Sequence, residues 1–115
     1  PGCTYFENCG ACSLQHLTSE EQIKFKQRGL IENIKKMAHL EPKEIMPPLC
    51  GETWGYRRKA RLGVKYVQKK DKVLVGFRER GTSFITETET CHVLHASIDS
   101  ALILPCWDGI LLSFK

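Results

Sequence analysis

The stretch CTYFENCGAC, which runs from Cys3 to Cys12 with Cys9 between them, holds three cysteines in one short loop. A fourth cysteine, Cys91, lies far down the chain after a predicted strand. Gly10 permits backbone angles that other residues avoid, so the two neighbouring thiolates can face one ion. Since a loop this tight rarely surrounds a metal centre alone, the spacing predicts a site to which Cys91 adds the fourth ligand.

Several kinds of chemistry are compatible with this cysteine pattern. Zinc is one, because Cys-x2-Cys is also a zinc knuckle and Cys91 with His95 could add a Cys-x3-His pair, although Cys3 would then be unused. The uneven spacing, with a compact loop and one remote cysteine, is closer to ferredoxins and favours an iron–sulfur centre. Disulfides or free thiols remain a further alternative. Attachment of c-type haem is excluded, because Ser13 stands where that motif needs histidine.

The remaining cysteines and the late histidines are predicted to have no ligand role. Cys50 follows two prolines and Cys106 lies between Pro105 and a tryptophan, so both are expected to pack as small hydrophobic residues. His92 and His95 are interpreted as surface or packing residues.

The bulk composition indicates one ordinary globular domain of 115 residues, with 42% hydrophobic and 26% charged residues. No apolar run approaches the roughly 20 residues that span a bilayer, and no signal peptide is recognisable, so a cytoplasmic protein without a membrane partner is expected. Because the chain begins with Pro1 and not with methionine, we expect it to be a piece of a longer protein.

The order of periodic segments predicts an α+β fold. A cysteine loop over 1–17 precedes a long amphipathic helix over 19–40, whose start is predicted at Ser19 with Gln22 completing a capping box. Residues 59–89 are predicted to form a three-stranded antiparallel meander, and 91–115 to hold the last cysteine ligand and a C-terminal helix broken near Pro105. The apolar residues 110–114 predict an exposed patch or self-association of the fragment.

The first strand of the meander has alternating polarity. Ala60, Leu62, Val64 and Tyr66 are predicted to share one face, and Lys59, Arg61, Gly63 and Lys65 the other. The segment from Arg57 to Arg80 holds ten basic and two acidic residues, a local net charge of +8, whereas the whole chain has +4. We therefore predict that the polar face binds an RNA backbone, the alternative being an ordinary solvated sheet face. The predicted RNA-binding residues are Arg57, Arg58, Lys59, Arg61 and Lys65.

A resemblance to a known family rests on several motifs in order. They are C-x5-CGAC at residues 3–12, LQHL at 14–17, WGYRRKARL at 54–62, GFR at 76–78, and Cys91. Together these motifs resemble the RNA (uracil-5-)-methyltransferase family, and most closely its bacterial 23S rRNA enzymes with a [4Fe-4S] cluster. The resemblance implies that Cys3, Cys9, Cys12 and Cys91 bind the cluster and that ribosomal RNA is the partner.

The same resemblance implies how the chain relates to a complete enzyme. The family joins an N-terminal OB-like domain, a central cluster-bearing domain and a C-terminal catalytic domain that uses S-adenosylmethionine, and this chain is similar to the central part only. It has no glycine-rich cofactor loop, and neither Cys50 nor Cys106 matches the family's nucleophile. The fragment alone is therefore expected to have no catalytic residue and no activity. A ferredoxin-like electron carrier and a zinc-stabilised interaction module are the alternative functions.

Overall fold

The computed structural model describes residues 1–103, which fall into two compact units. One unit combines Pro1–Ser13 with the chain from Glu52 onward, and the other is Leu14–Gly51. Within the described residues no helix is both long enough and apolar enough to cross a membrane. The predicted break at Pro105, the apolar segment 110–114 and Cys106 all lie outside the described residues.

The predicted long helix is present in the second unit. Helix α1 spans Ser19–Asn33 and continues as a π-helical turn over Ile34–Ala38. The chain leaves this turn at His39, whose φ of 54° is left-handed. The helix thus ends close to the predicted position, because a left-handed residue cannot extend a right-handed helix.

The cap of α1 lies one residue earlier than predicted. The side chain of Thr18, not that of Ser19, accepts a hydrogen bond from the backbone N–H of Glu21 at 3.3 Å. Gln22 reaches back as expected but donates to the carbonyl oxygen of Leu17 at 3.2 Å. Adjacent Thr18 and Ser19 are both good caps, so sequence preference alone could not choose between them.

The apolar stripe of α1 is only partly covered. No residue of the helix is buried, and although Ile23 and Ile31 are half-buried, Phe25 and Leu30 are exposed. The predicted apolar stripe therefore forms no buried core among the described residues, and the amphipathic character of the helix stays a prediction.

The predicted first hairpin is present in the first unit. Strand β1, Gly63–Val67, pairs antiparallel with strand β2, Lys72–Gly76, in a register that places Val64 opposite Val75. A 3₁₀ turn over Gln68–Lys70 connects them, and Asp71 adopts the left-handed φ of 47° that the reversal requires.

The predicted third strand is not confirmed. Within 84–89 the only ladder contact is an isolated bridge between Ile85 and Arg78, flanked by a 2.8 Å bond from the N–H of Thr86 to the carbonyl of Phe77. The segment then lies over the sheet: a Cβ added to Gly76 would stand 2.5 Å from the carbonyl oxygen of Thr86. Because it covers a face of the sheet, it cannot continue along the edge as a strand.

The faces of the hairpin match the prediction only in part, because segment 84–88 lies against the face predicted to be polar. Gly63 lies against the side chain of Ile85, and Leu74, which is directly opposite Lys65, is buried. Directly opposite residues share a face, so Lys65 stands at the rim of the covered side. Val64, predicted to be buried, is 48% exposed. The two glycines explain the difference, since they let another segment approach where side chains would block it.

The core of the first unit is built around Cys91. This residue packs with Val93, Leu94 and Leu102, of which Leu94 is the most buried at 2% exposure. Helix α2, Ala96–Asp99, and a 3₁₀ turn over Ser100–Ile103 follow it directly. The partly buried residues that pack against this core are Cys12, Ala60, Leu62, Phe77 and Ile98.

Candidate metal centre and basic surface

The cysteine loop is attached to the end of the hairpin by backbone hydrogen bonds. Cys9 forms an antiparallel bridge with Glu79, in which the N–H of Gly10 donates to the carbonyl of Arg78 at 2.8 Å. The N–H of Arg80 donates in return to the carbonyl of Asn8 at 2.9 Å. The loop that holds three of the predicted ligands is therefore positioned by contacts that involve no sulfur atom.

The reason for a glycine at position 10 differs from the one expected. Gly10 is not among the described residues with positive φ, which are Gly55, Gly81, His39 and Asp71. A Cβ at Gly10 would instead lie 2.8 Å from the carbonyl oxygen of Arg78, closer than real Cβ contacts allow. The glycine is needed for the close approach of two backbones and not for an unusual dihedral angle.

The side chain of Arg80 adds a second attachment of the loop. Its Nη2 atom donates to the carbonyl oxygens of Phe6, at 2.9 Å, and of Cys12, at 2.7 Å. The guanidinium also lies 4.6 Å from the centroid of the Phe6 ring, within the range of a cation–π contact. Arg80 therefore joins the middle and the end of the cysteine loop to the turn that follows β2.

Cys91 lies in the core of the first unit, where the residue is only 7% exposed. Burial is the main cause that raises the pKa of this thiol, and the nearby thiols of Cys12 and Cys9 raise it further. The backbone N–H groups of Val93 and Leu94 lower the pKa, because they favour the thiolate form. The N–H of Leu94 itself donates to the carbonyl oxygen of Cys91 at 3.0 Å.

The carboxylate of Asp99 fixes the backbone at Cys91. One oxygen accepts the Cys91 N–H at 2.5 Å, and the other accepts the hydroxyl of Thr90 at 2.9 Å. Since Asp99 belongs to helix α2, this pair of bonds connects the short helix to the segment that carries the fourth predicted ligand.

Of the four predicted ligands, Cys9 and Cys12 lie near Cys91, but the described residues do not gather them into a metal site. Cys12 packs against the core that contains Cys91, and both Cys9 and Cys12 are close enough to influence the pKa of Cys91. The thiol of Cys3 is partly exposed, and no described contact joins it to the other three predicted ligands. Among residues 1–103 no three His, Cys, Asp or Glu side chains form a ready metal-binding group. The four-cysteine site thus remains a prediction, with a donor set whose chemistry fits iron or zinc.

The other cysteine and the histidines take part in other contacts. Cys50 is exposed and makes only a 3.7 Å contact from its thiol to the carbonyl of Pro48, so the expected packing role is wrong for this residue. The ring of His92 makes an edge contact with Trp54. The Nδ1 atom of His95 accepts the N–H of Ser97 at 3.4 Å and so caps α2.

The predicted RNA-binding residues do not share one sheet face. Strand β1 begins only at Gly63, so four members of the predicted set lie outside the strand: Arg57, Arg58, Lys59 and Arg61. Arg57 is half-buried, with its guanidinium 5.9 Å from the centre of the Phe77 ring and its backbone bridged to Leu94. The exposed members of the predicted set are Arg58, Lys59, Arg61 and Lys65. Three of these four side chains lie on the irregular segment before β1. The positive charge at the surface therefore does not form a regular stripe along one face of the strand.

Comparison with known proteins shows strong similarity along most of the chain. It is 53% identical over 102 residues to the 23S rRNA (uracil(1939)-C(5))-methyltransferase RlmD of Vesicomyosocius okutanii subsp. Calyptogena okutanii, which is 89% of this chain. It is 48% identical over 116 residues, covering 100% of this chain, to the protein of the same name from Nitrosococcus oceani. It is 44% identical over 104 residues, which is 90% of this chain, to the protein of the same name from Legionella pneumophila.

The chain belongs to the RNA (uracil-5-)-methyltransferase family. The chain corresponds to only a segment of each of these methyltransferases. The matched region is 23% of the Vesicomyosocius protein, 26% of the Nitrosococcus protein and 23% of the Legionella protein. The chain thus spans about a quarter of the length of the curated methyltransferases it matches. No protein-family model matches the chain.

Two residues that shape this segment are not evident from its sequence. In the sequence, Arg80 counts only as one basic residue of the segment 57–80, and no pattern gives Asp99 a role. Asp99 binds the backbone eight positions before it, and Arg80 binds carbonyl groups 74 and 68 positions before it. No local pattern reports contacts of that range, although an arginine and an aspartate close to predicted ligand segments are reasonable residues to test.

Proposed function

We propose that this chain is the iron–sulfur, RNA-recognition part of an S-adenosylmethionine-dependent methyltransferase that forms 5-methyluridine in 23S ribosomal RNA. The names of the relatives support the reaction and the RNA. The observation that supports the cluster is the placement of Cys91, which shares its surroundings with Cys9 and Cys12 although it is 79 residues from the latter in sequence.

The cluster ligands in this proposal are Cys3, Cys9, Cys12 and Cys91. A [4Fe-4S] centre bound by these residues would join the cysteine loop to the core of the unit. This crosslink would limit the motion of the long chain segment between Cys12 and Cys91. The chain's own residues do the rest of the positioning. Arg80 and the Cys9–Glu79 bridge hold the loop, and Asp99 holds the backbone of Cys91. Cys12 packs against the core that contains Cys91, which places the end of the cysteine loop near the fourth proposed ligand.

The RNA-binding part of the proposal rests on uncompensated positive charge. Of the basic residues near the hairpin, Lys70 and Lys72 both pair with Glu87. The described ion pairs involve none of Arg58, Lys59 or Arg61, so these charges are available to phosphates. S-adenosylmethionine and the catalytic cysteine would belong to another part of the protein. In this proposal the chain binds and orients RNA without methylating it.

Metal analysis and methyl transfer together test the proposed function. The intact protein, purified without oxygen, is expected to contain about four iron and four sulfide per chain. With S-adenosylmethionine labelled in its methyl group, it is expected to transfer the label to a 23S rRNA fragment as 5-methyluridine. Replacing Cys91 by serine should strongly reduce the iron and sulfide content, while Cys50→Ser should not.

Each alternative function has its own outcome in the same experiment. Stoichiometric zinc without sulfide would replace the iron–sulfur centre by a zinc-stabilised module. Iron and sulfide with reversible redox cycling, but with no methyl transfer and no RNA binding, would identify an electron carrier.

A further inference from the structure

A cleft with a volume of about 580 Å³ lies between the cysteine loop and the hairpin. Its wall comes from three segments of the same compact unit: the cysteine loop, the start of β1 with the two residues before it, and the turn after β2. The residues that line it are Gly10, Arg61, Leu62, Gly63 and Arg78–Gly81. We call this surface the arginine cleft, after Arg61, Arg78 and Arg80.

The charge of the arginine cleft is not balanced by the protein. All three arginines are exposed, and Glu79 is the one acidic residue among those that line the cleft. The ion pairs described for residues 1–103 are all made by lysines, so none of the three guanidiniums is paired with a carboxylate. Three like charges around one concavity repel one another, and an anion bound between them would relieve that repulsion.

One of the three guanidiniums is held in place before any ligand binds. Arg80 uses Nη2 for its two bonds to the carbonyls of Phe6 and Cys12, and it stacks on the Phe6 ring. A guanidinium has five N–H donors, so those on Nε and Nη1 remain for a ligand. A fixed donor loses little conformational freedom on binding, and its planar arrangement matches the oxygens of a phosphate.

We propose that the arginine cleft binds consecutive phosphodiesters of the RNA strand. This inference rests on the proposed function, because it names the place where that RNA is held. It differs from the surface predicted from sequence by including Arg78 and Arg80 with Arg61. The predicted surface consisted of Arg57, Arg58, Lys59, Arg61 and Lys65.

The composition of the arginine cleft favours the RNA backbone over its bases. Leu62 is the one sizeable apolar side chain in the described lining, and no aromatic ring is part of that lining. Sequence-specific binding of single strands depends largely on stacking of bases against aromatic rings. Contacts to phosphates position the strand and contribute affinity with little dependence on base identity.

The test is a salt titration of RNA binding by the intact protein. Fluorescence anisotropy with a labelled single-stranded 23S rRNA fragment gives the dissociation constant at several KCl concentrations. We expect Arg78→Ala to weaken binding about five- to tenfold and to reduce the slope of log K against log salt by about 0.7 for each phosphate that the variant no longer neutralises. The double variant Arg61→Ala/Arg78→Ala should lower the slope further.

Two further variants show whether a weaker affinity for RNA comes from the loss of the guanidinium in the cleft or from the loss of any exposed positive charge. Arg78→Lys keeps the charge but not the paired donors, so it should retain most of the salt slope while binding more weakly than the parent. Lys69→Ala removes an exposed charge from the hairpin turn outside the cleft and should stay within about twofold of the parent. The bond that Arg78 accepts from Gly10 uses its backbone carbonyl, and no described bond uses the side chain of Arg61, so alanine at these positions preserves the described bonds of the fold.

The outcomes separate this inference from the proposed function. If the parent binds RNA and Arg58→Ala weakens it, while Arg61→Ala/Arg78→Ala equals the parent in affinity and slope, the cleft is not the phosphate site and RNA recognition stands. If the parent itself shows no salt-dependent RNA binding, both the cleft and the RNA-recognition role are wrong.

Discussion

The Nη2 atom of Arg80 lies 2.7 Å from the carbonyl oxygen of Cys12, the last cysteine of the N-terminal loop. The same atom donates to the carbonyl of Phe6 at 2.9 Å. One side chain in the turn after β2 thus holds two points of a loop that lies 68 and 74 positions before it. The shape of the candidate metal centre therefore depends on a residue that is not itself a ligand.

Replacing Arg80 should loosen the cysteine loop in the metal-free protein. Arg80→Ala removes two charge-assisted hydrogen bonds and a ring contact, and we expect a loss of about 1–2 kcal/mol in the free energy of unfolding. Arg80→Lys should recover only part of it, since one ammonium cannot reproduce the planar donor arrangement. Urea denaturation measures both, with Lys69→Ala as a control at another exposed basic residue. A value for Arg80→Ala equal to that control would show that the attachment contributes nothing.

The reactivity of Cys91 should follow its raised pKa. The thiolate is the reacting form, so burial and a raised pKa both slow alkylation of Cys91 in the reduced, metal-free protein. Exposed Cys50 should react first. As pH increases, the rate for Cys91 should continue to increase beyond the ordinary pKa range of a thiol, because the pKa of Cys91 is raised. Site-resolved mass spectrometry after iodoacetamide treatment measures both rates.

The same pKa shift sets the direction of a stability change. A thiol whose folded pKa is above its unfolded value binds its proton more tightly when folded, so the metal-free protein should lose stability as pH rises through the ordinary thiol pKa. In denaturant the alkylation rates of Cys91 and Cys50 should become similar. Rapid alkylation of Cys91 in the native protein, at the rate of Cys50, would contradict its buried position.

Asp99 should stabilise the segment that carries Cys91. Asp99→Ala leaves the N–H of Cys91 without its acceptor, and we expect a loss of about 1–3 kcal/mol in the free energy of unfolding. Asp99→Asn keeps one carbonyl oxygen for that N–H and should lose less, although it no longer accepts from Thr90 in the same way. Ser100→Ala, which removes an exposed hydroxyl bond, is the matched control. The explanation fails if the asparagine variant is less stable than the alanine variant.

The two sheet glycines should differ in their tolerance of alanine. At Gly76 a Cβ would meet a backbone carbonyl, that of Thr86, at 2.5 Å, and we expect Gly76→Ala to destabilise the protein by about 1–3 kcal/mol. At Gly63 the nearest atom, at 3.0 Å, is the end of the Ile85 side chain, which can rotate away. Gly63→Ala should therefore be the milder change in thermal unfolding. The reverse order would mean that segment 84–88 does not lie over this face.

The sequence predicted the elements better than their packing. Periodicity located α1 and both strands of the hairpin, because each depends on residues near one another in sequence. The predicted faces are confirmed only in part: Ala60 and Leu62 pack against the core, but segment 84–88 approaches the opposite face at Gly63 and Gly76. Alternation in one strand cannot show which other segment will cover it.

The same distinction applies to the candidate site. Cysteine spacing predicted that Cys91 joins the N-terminal loop in one site; Cys12 packs against the core that contains Cys91, and the shared site stays a prediction. Spacing gave no indication of Arg80 or Asp99, whose roles depend on how distant segments meet in the fold. Charge counting located the basic region, but the arginine cleft needs Arg78 and Arg61 on different segments of the chain.

The bridge between Cys9 and Glu79 also bears on repair after oxidative damage. Its hydrogen bonds join backbone atoms, so they persist when the sulfurs lose whatever they bind. We expect a protein depleted by air to keep a receptive loop and to regain a brown chromophore on anaerobic incubation with ferrous iron, sulfide and thiol, with no denaturation and renaturation in between. Under the proposed function, a backbone framework that persists without the cluster would let one polypeptide replace that cluster during its lifetime.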